Sequence, residues 1–545
     1  VTRLLALLRD WARSVWTDLL SQLRWSFLPP LMVYLAAGVS GLSAIVGTFF
    51  VKEYLSLSAA FLAGLSFWVG IPWALKMPVG HLVDLVWRWK AALVYLGAAL
   101  IAASIAIMYG LIAHTAAMRA VMPAEAWYVL SALLSPIGYV VQDVVADAMT
   151  VEAVPTVDAD GRTLGEPAIK AMHTTMQTLG RIAIIGGLTL VAGLNIFMFQ
   201  GVEAMPESAK VAIYARIYLL SLAVPAVSVA GVVLNGILLA RRARALRRAG
   251  VPAAEVDRIV YQPGEKTEPN WWILGGAAAF ACFTIALGLG GVPFAQEIIF
   301  LGSMAIVLFL MGRLLRELPP ERARMLVGTA IIIFVFRAVP LPGPGATWFQ
   351  IDVLGFDQRF LAVLEFITSL LTLVGMVVLR PLMASRSIAY IAALLSVASS
   401  LLLLPYVGLY YGLHHWTAAW TWGIVDARFI AVINTAIESP LGQVAMIPML
   451  AWIARNAPAH LKATFFAVMA SFTNLALSAA SLGTKYLNEV FVVTREARDA
   501  ATGAIQTAAD YSQLGRLLIA VAVIGVVLPL GTIAVVQRTR LKTVE

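Results

Sequence analysis

Long apolar runs separated by short polar connections fill most of this chain. A hydrocarbon core about 30 Å thick needs roughly 20 apolar helical residues to cross it. Fourteen stretches fit that requirement, near 30–51, 58–79, 91–112, 126–150, 169–198, 213–240, 272–292, 296–316, 323–340, 357–380, 387–408, 424–453, 461–488 and 513–537. The pattern predicts an all-α, polytopic membrane protein with about fourteen transmembrane helices. An even count places both termini on one side. Ahead of the first run, Leu4, Leu8, Trp11, Val15 and Leu19 recur at helical spacing, with Arg9, Arg13 and Asp18 among them. Residues 1–28 lack a cleavable-signal design and predict an amphipathic helix lying on the membrane surface.

Composition narrows the class. Hydrophobic residues make up 61% of the 545 positions and charged residues 13%, with mean hydropathy +0.86. A water-soluble chain carries roughly 25% charge, so soluble-enzyme, secreted-scaffold and disordered readings are excluded. The single cysteine, Cys282, rules out an intrachain disulfide and any cysteine-based metal site. The net charge of +9 raises the question of nucleic acid, but its distribution answers otherwise. Arg88 and Lys90, the Arg241–Arg248 cluster, Arg313, Arg316, Arg322, Arg324, Arg380, Arg386 and the tail residues Arg538, Arg540 and Lys542 all fall on one side of the spans. By the positive-inside bias that side is cytoplasmic, with both termini and the 241–271 linker. Nucleic-acid binding loses its support.

Faint internal repeats supply the architecture. Leu55–Leu62 (LSLSAAFL) precedes span 2 and Leu354–Leu361 (LGFDQRFL) precedes span 10. Ser135-Pro136-Ile137-Gly138 lies in span 4 and Ser439-Pro440-Leu441-Gly442 in span 12; Ile169-Lys170-Ala171 opens span 5 and Leu461-Lys462-Ala463 opens span 13. The offsets are 299, 304 and 292, in order along the chain. Duplicated six-helix halves follow, and spans 7 and 8 are left over as an inserted hairpin. The expected organisation is a surface helix at 1–28, a six-helix half at 29–240, a basic cytoplasmic linker at 241–271, the hairpin at 272–316, a second half at 317–538 and a tail at 539–545. Two parallel halves joined by a basic linker describe a major-facilitator fold, with the substrate at the midplane between them. The matching Ser-Pro-x-Gly interruptions either point to that cavity or serve helix packing alone.

Polar groups inside the spans are expensive and need a partner or a water-filled space. Gln142, Asp143 and Asp147 form the clearest cluster, the two acids four apart on one face of span 4. Such a pair suits proton coupling or hydrogen bonding to a heterocycle; capping or pairing near the span's end is the plainer alternative. His173, Gln177 and Arg181 share a face of span 5. Arg181 is placed to meet Asp143 or a substrate carboxylate, or to form a purely structural pair. Glu438 and Gln443 flank the Pro440 break, Asn474 lies in span 13, and Arg337 snorkels near the end of span 9. Asp158–Gly161 reads as a solvated turn, His414-His415 as an interfacial or loop pair, and Glu297 as interfacial. No phosphate-cradling glycine loop is present; no enzyme activity and no cofactor are expected, and ion coupling or exchange remains.

Residues 52–59 (KEYLSLSA), Ile71-Pro72-Trp73-Ala74-Leu75-Lys76 followed by Gly80 and Asp84, the acids Asp143, Asp147 and Glu152, and the late block Pro458, Ala463-Thr464, Phe466-Ala467, Ser471 and Asn474 resemble the folate–biopterin transporter family of the major facilitator superfamily. The resemblance covers roughly 30–200 and 325–490. Lys462 stands where the family usually has an acid, and the hairpin exceeds a twelve-span plan. The muropeptide-permease and acetyl-CoA-transporter group resembles the chain more distantly, but its Gly-Tyr-Arg opening of span 5 is replaced by Met172-His173-Thr174. The resemblance implies a monomeric secondary transporter in an inner membrane, moving a folate- or pterin-like anion by alternating access with proton coupling. Trp73, Lys76 and Asp84 would then belong to a cytoplasmic gate. A muropeptide or acyl-CoA permease of the same fold, and a non-transporting membrane assembly factor, are the alternatives.

Overall fold

The structure is a computed structural model. It describes residues 24–542 apart from 56, 75, 155–164, 262–268, 270, 291, 317, 380–381, 383–385, 442–443, 445–461 and 499–504. The amphipathic segment before residue 24, the Asp158–Gly161 turn and Gln443 lie outside the described residues.

A helix stands at every one of the fourteen predicted stretches. Span 1 is Leu28–Val39 and Ala44–Tyr54 joined by a 3-10 turn; span 2 is Ala59–Ala74 followed by Lys76–Leu85. Span 3 is Lys90–Ala113, span 4 Ala124–Ala153, span 5 Glu166–Met198, and span 6 Glu207–Ser221 with Ala223–Arg248. Spans 7 and 8 are Trp271–Leu289 and Ala295–Leu315. Spans 9 to 11 are Pro320–Arg337, Gln358–Val378 and Ile388–Tyr410; span 12 is described over Ala427–Glu438 and a 3-10 turn to Leu441. Spans 13 and 14 are Lys462–Val490 and Leu514–Arg538. Two strands of two and three residues, Ala497–Arg498 and Ile505–Thr507, form a small hairpin between them.

Local chemistry explains where these helices begin. Prolines occupy the first turns of spans 1, 5 and 9, where the missing N–H has no helical partner to lose. Ser387 and Asp426 cap spans 11 and 12 by accepting from the backbone N–H groups of Tyr390 and Phe429, at 3.2 and 2.8 Å. The repeat noted before spans 2 and 10 is a pair of equivalent caps. Ser58 accepts from Phe61 N at 3.1 Å, and Asp357 accepts from Phe360 N at 2.6 Å. Both members of each pair are 299 residues apart, and both side chains satisfy an N–H that the first helical turn leaves open.

By length and composition alone, ten helices among the described residues can cross a membrane. Spans 7, 9, 12 and 13 fall outside that set; in span 9, Glu321, Arg322, Arg324 and Arg337 crowd its 18 residues. Span 12 falls outside because only 12 α-helical residues of it are described.

Helix contacts resolve into two halves meeting along two seams. Span 2 packs against span 13, and span 5 against span 10. Exchanging each helix for its repeat partner, 2 for 10 and 5 for 13, converts one seam into the other. That is the contact pattern of a pseudo-two-fold pair of six-helix bundles. Among the described residues, the extra hairpin packs along the first seam. Phe67 and Ile71 of span 2, Ile299 of span 8 and Leu482 of span 13 form one buried cluster. Val307 and Met311 of span 8 pack with Val468 and Phe472 of span 13 in another. Glu297 is not simply interfacial: it pairs with Lys485 at 3.1 Å and accepts from Tyr486, tying span 8 to span 13.

At the face opposite the 241–261 segment the halves are fastened together. Lys52, ending span 1, pairs with Asp352 at 2.5 Å. Gln358 Nε2 donates to the Tyr214 hydroxyl at 2.6 Å, with Gln358 and Tyr214 both buried. Tyr511 also donates to Asp352, and burial with that carboxylate beside it pushes its phenol above the usual value.

Candidate functional site

Span 4 carries the acids because its face repeats every three to four residues, so positions 143 and 147 stack one turn apart. The structure brings both to one cation. Lys76 Nζ lies 2.5 Å from Asp143 Oδ2 and 2.8 Å from Asp147 Oδ2. The Tyr34 hydroxyl of span 1 donates to the other Asp147 oxygen at 2.5 Å. Three helices therefore converge on two carboxylates. The cluster is only partly covered by protein: the side chains of Lys76, Asp143 and Asp147 are 32%, 18% and 45% exposed.

Arg181 does not form the expected ion pair with Asp143. It stands exposed on span 5 and acts on Asp143 and Tyr34 only through its longer-range charge. Lys76 makes the contact instead: its flexible stem carries the ammonium from span 2 to both acids of span 4. Gln142 is also absent from the cluster. It turns into the first half, donating to Val94 O at 3.2 Å and accepting from Ser228 at 3.0 Å. One residue of helix rotates the side chain about 100° away from Asp143.

Asn474 does reach this region from the second half. Its Nδ2 donates to the Trp73 carbonyl at 3.2 Å, joining span 13 to span 2 three residues before Lys76. His173, Gln177 and Asp84 lie in described helices, but their side chains are outside the described set. Glu438 is exposed at the end of span 12, with Asn434 Nδ2 3.5 Å from its carboxylate. His414 and His415 stack on one another with ring centroids 3.9 Å apart.

Glu152, last of the three acids on span 4, belongs to a different structure. It is buried with Lys90 at 2.9 Å, and Asn235 Nδ2 donates to its second oxygen at 3.0 Å. Lys90, counted from the sequence among the topology-setting basic residues, is thus a buried ion-pair partner that also lies 4.4 Å from the Trp87 ring centre. Spans 3, 4 and 6 are held together there.

Sequence reasoning missed Tyr34, and it missed Glu365 in span 10. The rule that flagged Asp143, an acid inside a predicted span, applies equally to Glu365. A cavity of about 410 Å³ lies in the first half toward the fastened face. Hydroxyls dominate its polar lining, including Ser40, Ser66, Ser131, Ser135 and Tyr139, and Trp348 from the second half borders it.

Known proteins share this architecture and part of this sequence. A POT family transporter in complex with 5-aminolevulinic acid superposes with TM-score 0.61 at 12% identity, covering 95% of this chain and 96% of that one. The nucleoside transporter NupG gives TM-score 0.55 at 11% identity, covering 94% and 99%. At such identities the likeness is one of fold. A folate-biopterin transporter of Synechocystis sp. is 28% identical over 155 residues, which are 28% of this chain and 30% of that protein. The matched segment thus spans less than a third of that relative. The family model reaches much further, matching residues 37–544, from the first span to the end of the tail. With that span of agreement laid over a two-seam helical bundle, the chain belongs to the BT1 family.

Proposed function

We propose that this chain is a secondary transporter that moves a folate- or pterin-like organic anion across an inner membrane by alternating access, with proton coupling. Both termini lie on the cytoplasmic side in this reading. The observation that carries it is the partly exposed cluster of Lys76, Asp143 and Asp147, placed where Asn474 of the second half touches span 2.

One ammonium serving two carboxylates leaves the trio one negative charge in excess. A proton arriving at either acid frees part of the Lys76 ammonium, which then attracts a substrate carboxylate. Arg181, exposed and making no ion pair with Asp143 among the described residues, offers a second, planar anchor for the same group. Movement of the halves along their seams would then open the cluster to one side at a time. The printed name of the Synechocystis relative supports a folate or pterin as cargo.

Uptake of labelled folate and biopterin into proteoliposomes, with and without an imposed proton gradient, tests this directly. Wild type should accumulate the label only with the gradient, and Asp143→Asn should reduce uptake at least tenfold. Equal uptake by wild type and Asp143→Asn removes the proposed site.

A further inference from the structure

Glu365 sits in span 10 on the side of the helix that faces the first half. At 3.6 residues per turn, its direction falls between those of Gln358, Ala362, Ser369 and Thr372, all buried. Gln358 reaches Tyr214 of the first half, and Ala362 packs into the first half's main cluster beside Phe49 and Leu55. The lipid-facing arc lies opposite, where Leu370, Val374 and Val378 are 42%, 46% and 54% exposed. Yet Glu365 is itself exposed. An exposed side chain in the middle of a buried face opens onto an internal space between the halves.

Its carboxylate makes no hydrogen bond or ion pair among the described residues. The internal repeat gives the same placement independently. At the offset of 299 that relates the Ser58 and Asp357 caps, Glu365 corresponds to Ser66, whose side chain borders the first half's cavity. An unpaired carboxylate at such depth is costly, and nothing in the packing of span 10 requires it.

We propose, resting on the folate–pterin reading above, that Glu365 is the residue that selects the heterocycle. A pterin presents adjacent N3–H and 2-amino donors along one edge. A carboxylate accepts both through its two oxygens, the arrangement by which carboxylates bind amidine-like groups. Glu365 lies seven residues from one end of its span, whereas Asp143 lies 19 residues from the same-side end of span 4. The heterocycle end of an elongated substrate is then held toward the fastened face and its carboxylates toward Lys76 and Arg181.

The test compares pterin with lumazine, the analogue whose 2-amino group is replaced by oxygen. Binding to purified protein in detergent is followed by quenching of ligand fluorescence, for wild type, Glu365→Gln and Glu365→Asp. Melting temperatures check that each variant is folded. Wild type should prefer pterin by at least tenfold, Glu365→Gln should bring the ratio close to one, and Glu365→Asp should retain part of it. A pterin preference unchanged in Glu365→Gln overturns the inference and leaves the transport reading standing, as a purely proton-carrying Glu365 would. Wild type that binds no pterin at all overturns both.

Discussion

Lys76 couples two carboxylates that would otherwise repel each other, so its loss should cost more than one contact. Lys76→Met is expected to lower the melting temperature in detergent, and Asp143→Asn added to it should restore part of the loss. The coupling between the two sites should fall within about 0.5–3 kcal/mol, the range for residues in direct contact. Additive effects would show that Lys76 and Asp143 do not pair. Lys90 and Glu152 make the contrasting case, a buried pair away from the open cluster. Lys90→Met should destabilise by about 3–5 kcal/mol, because it strands a buried carboxylate, while leaving ligand affinity of the folded fraction unchanged. The acids were legible because their spacing is local. Their partner was not, because Lys76 stands 67 residues away and only packing of span 2 on span 4 joins them. Lys90 was obscured for another reason: at a span's end, a buried lysine and a topology marker look alike in sequence. Glu365 lay in plain view within a predicted span, but outside every motif that drew attention.

Helices were the most readable level, since a crossing imposes a minimum length of apolar residues on each. Even spans 9 and 12, charged or broken, stand where the pattern placed them. The Ser-Pro-x-Gly signal was harder to interpret, and the structure separates its parts. Pro136 is carried inside a continuous helix, whereas Pro440 sits in a 3-10 turn closing the described part of span 12. Gly138 serves close approach: a Cβ there would lie 2.6 Å from the Gly97 carbonyl, and one on Gly97 would lie 2.7 Å from the Gly138 carbonyl. Spans 3 and 4 cross at this reciprocal pair, as small residues permit in membranes. Gly138→Val should therefore cost about 1–3 kcal/mol of stability, as overpacked sites do, seen as a lower melting temperature. An unchanged value would mean that the crossing can separate without loss.

At the scale of the whole molecule, the Lys52–Asp352 and Tyr214–Gln358 contacts hold one face shut. Weakening the first with Asp352→Asn should shift the population toward opening there. In a Cys282→Ala background, a cysteine placed at Ser66 should then react faster with a membrane-impermeant maleimide added from that face. An unaltered rate would show that this ion pair does not hold the face closed. Two repeated halves were readable from three short matches, but the seams between them were not, because helix–helix pairing leaves no periodic mark on either partner. The inserted hairpin breaks the symmetry of those seams. Along spans 2 and 13 any sliding must take place against two companion helices. Among the described residues, no hairpin contact of that kind backs the seam of spans 5 and 10. If the halves rock in the proposed cycle, their two joints therefore work in different surroundings, one bearing on protein and the other without that cover among the described residues. A stiffer or thicker bilayer would then load one joint more than its twin, making the membrane itself a lopsided brake on the cycle.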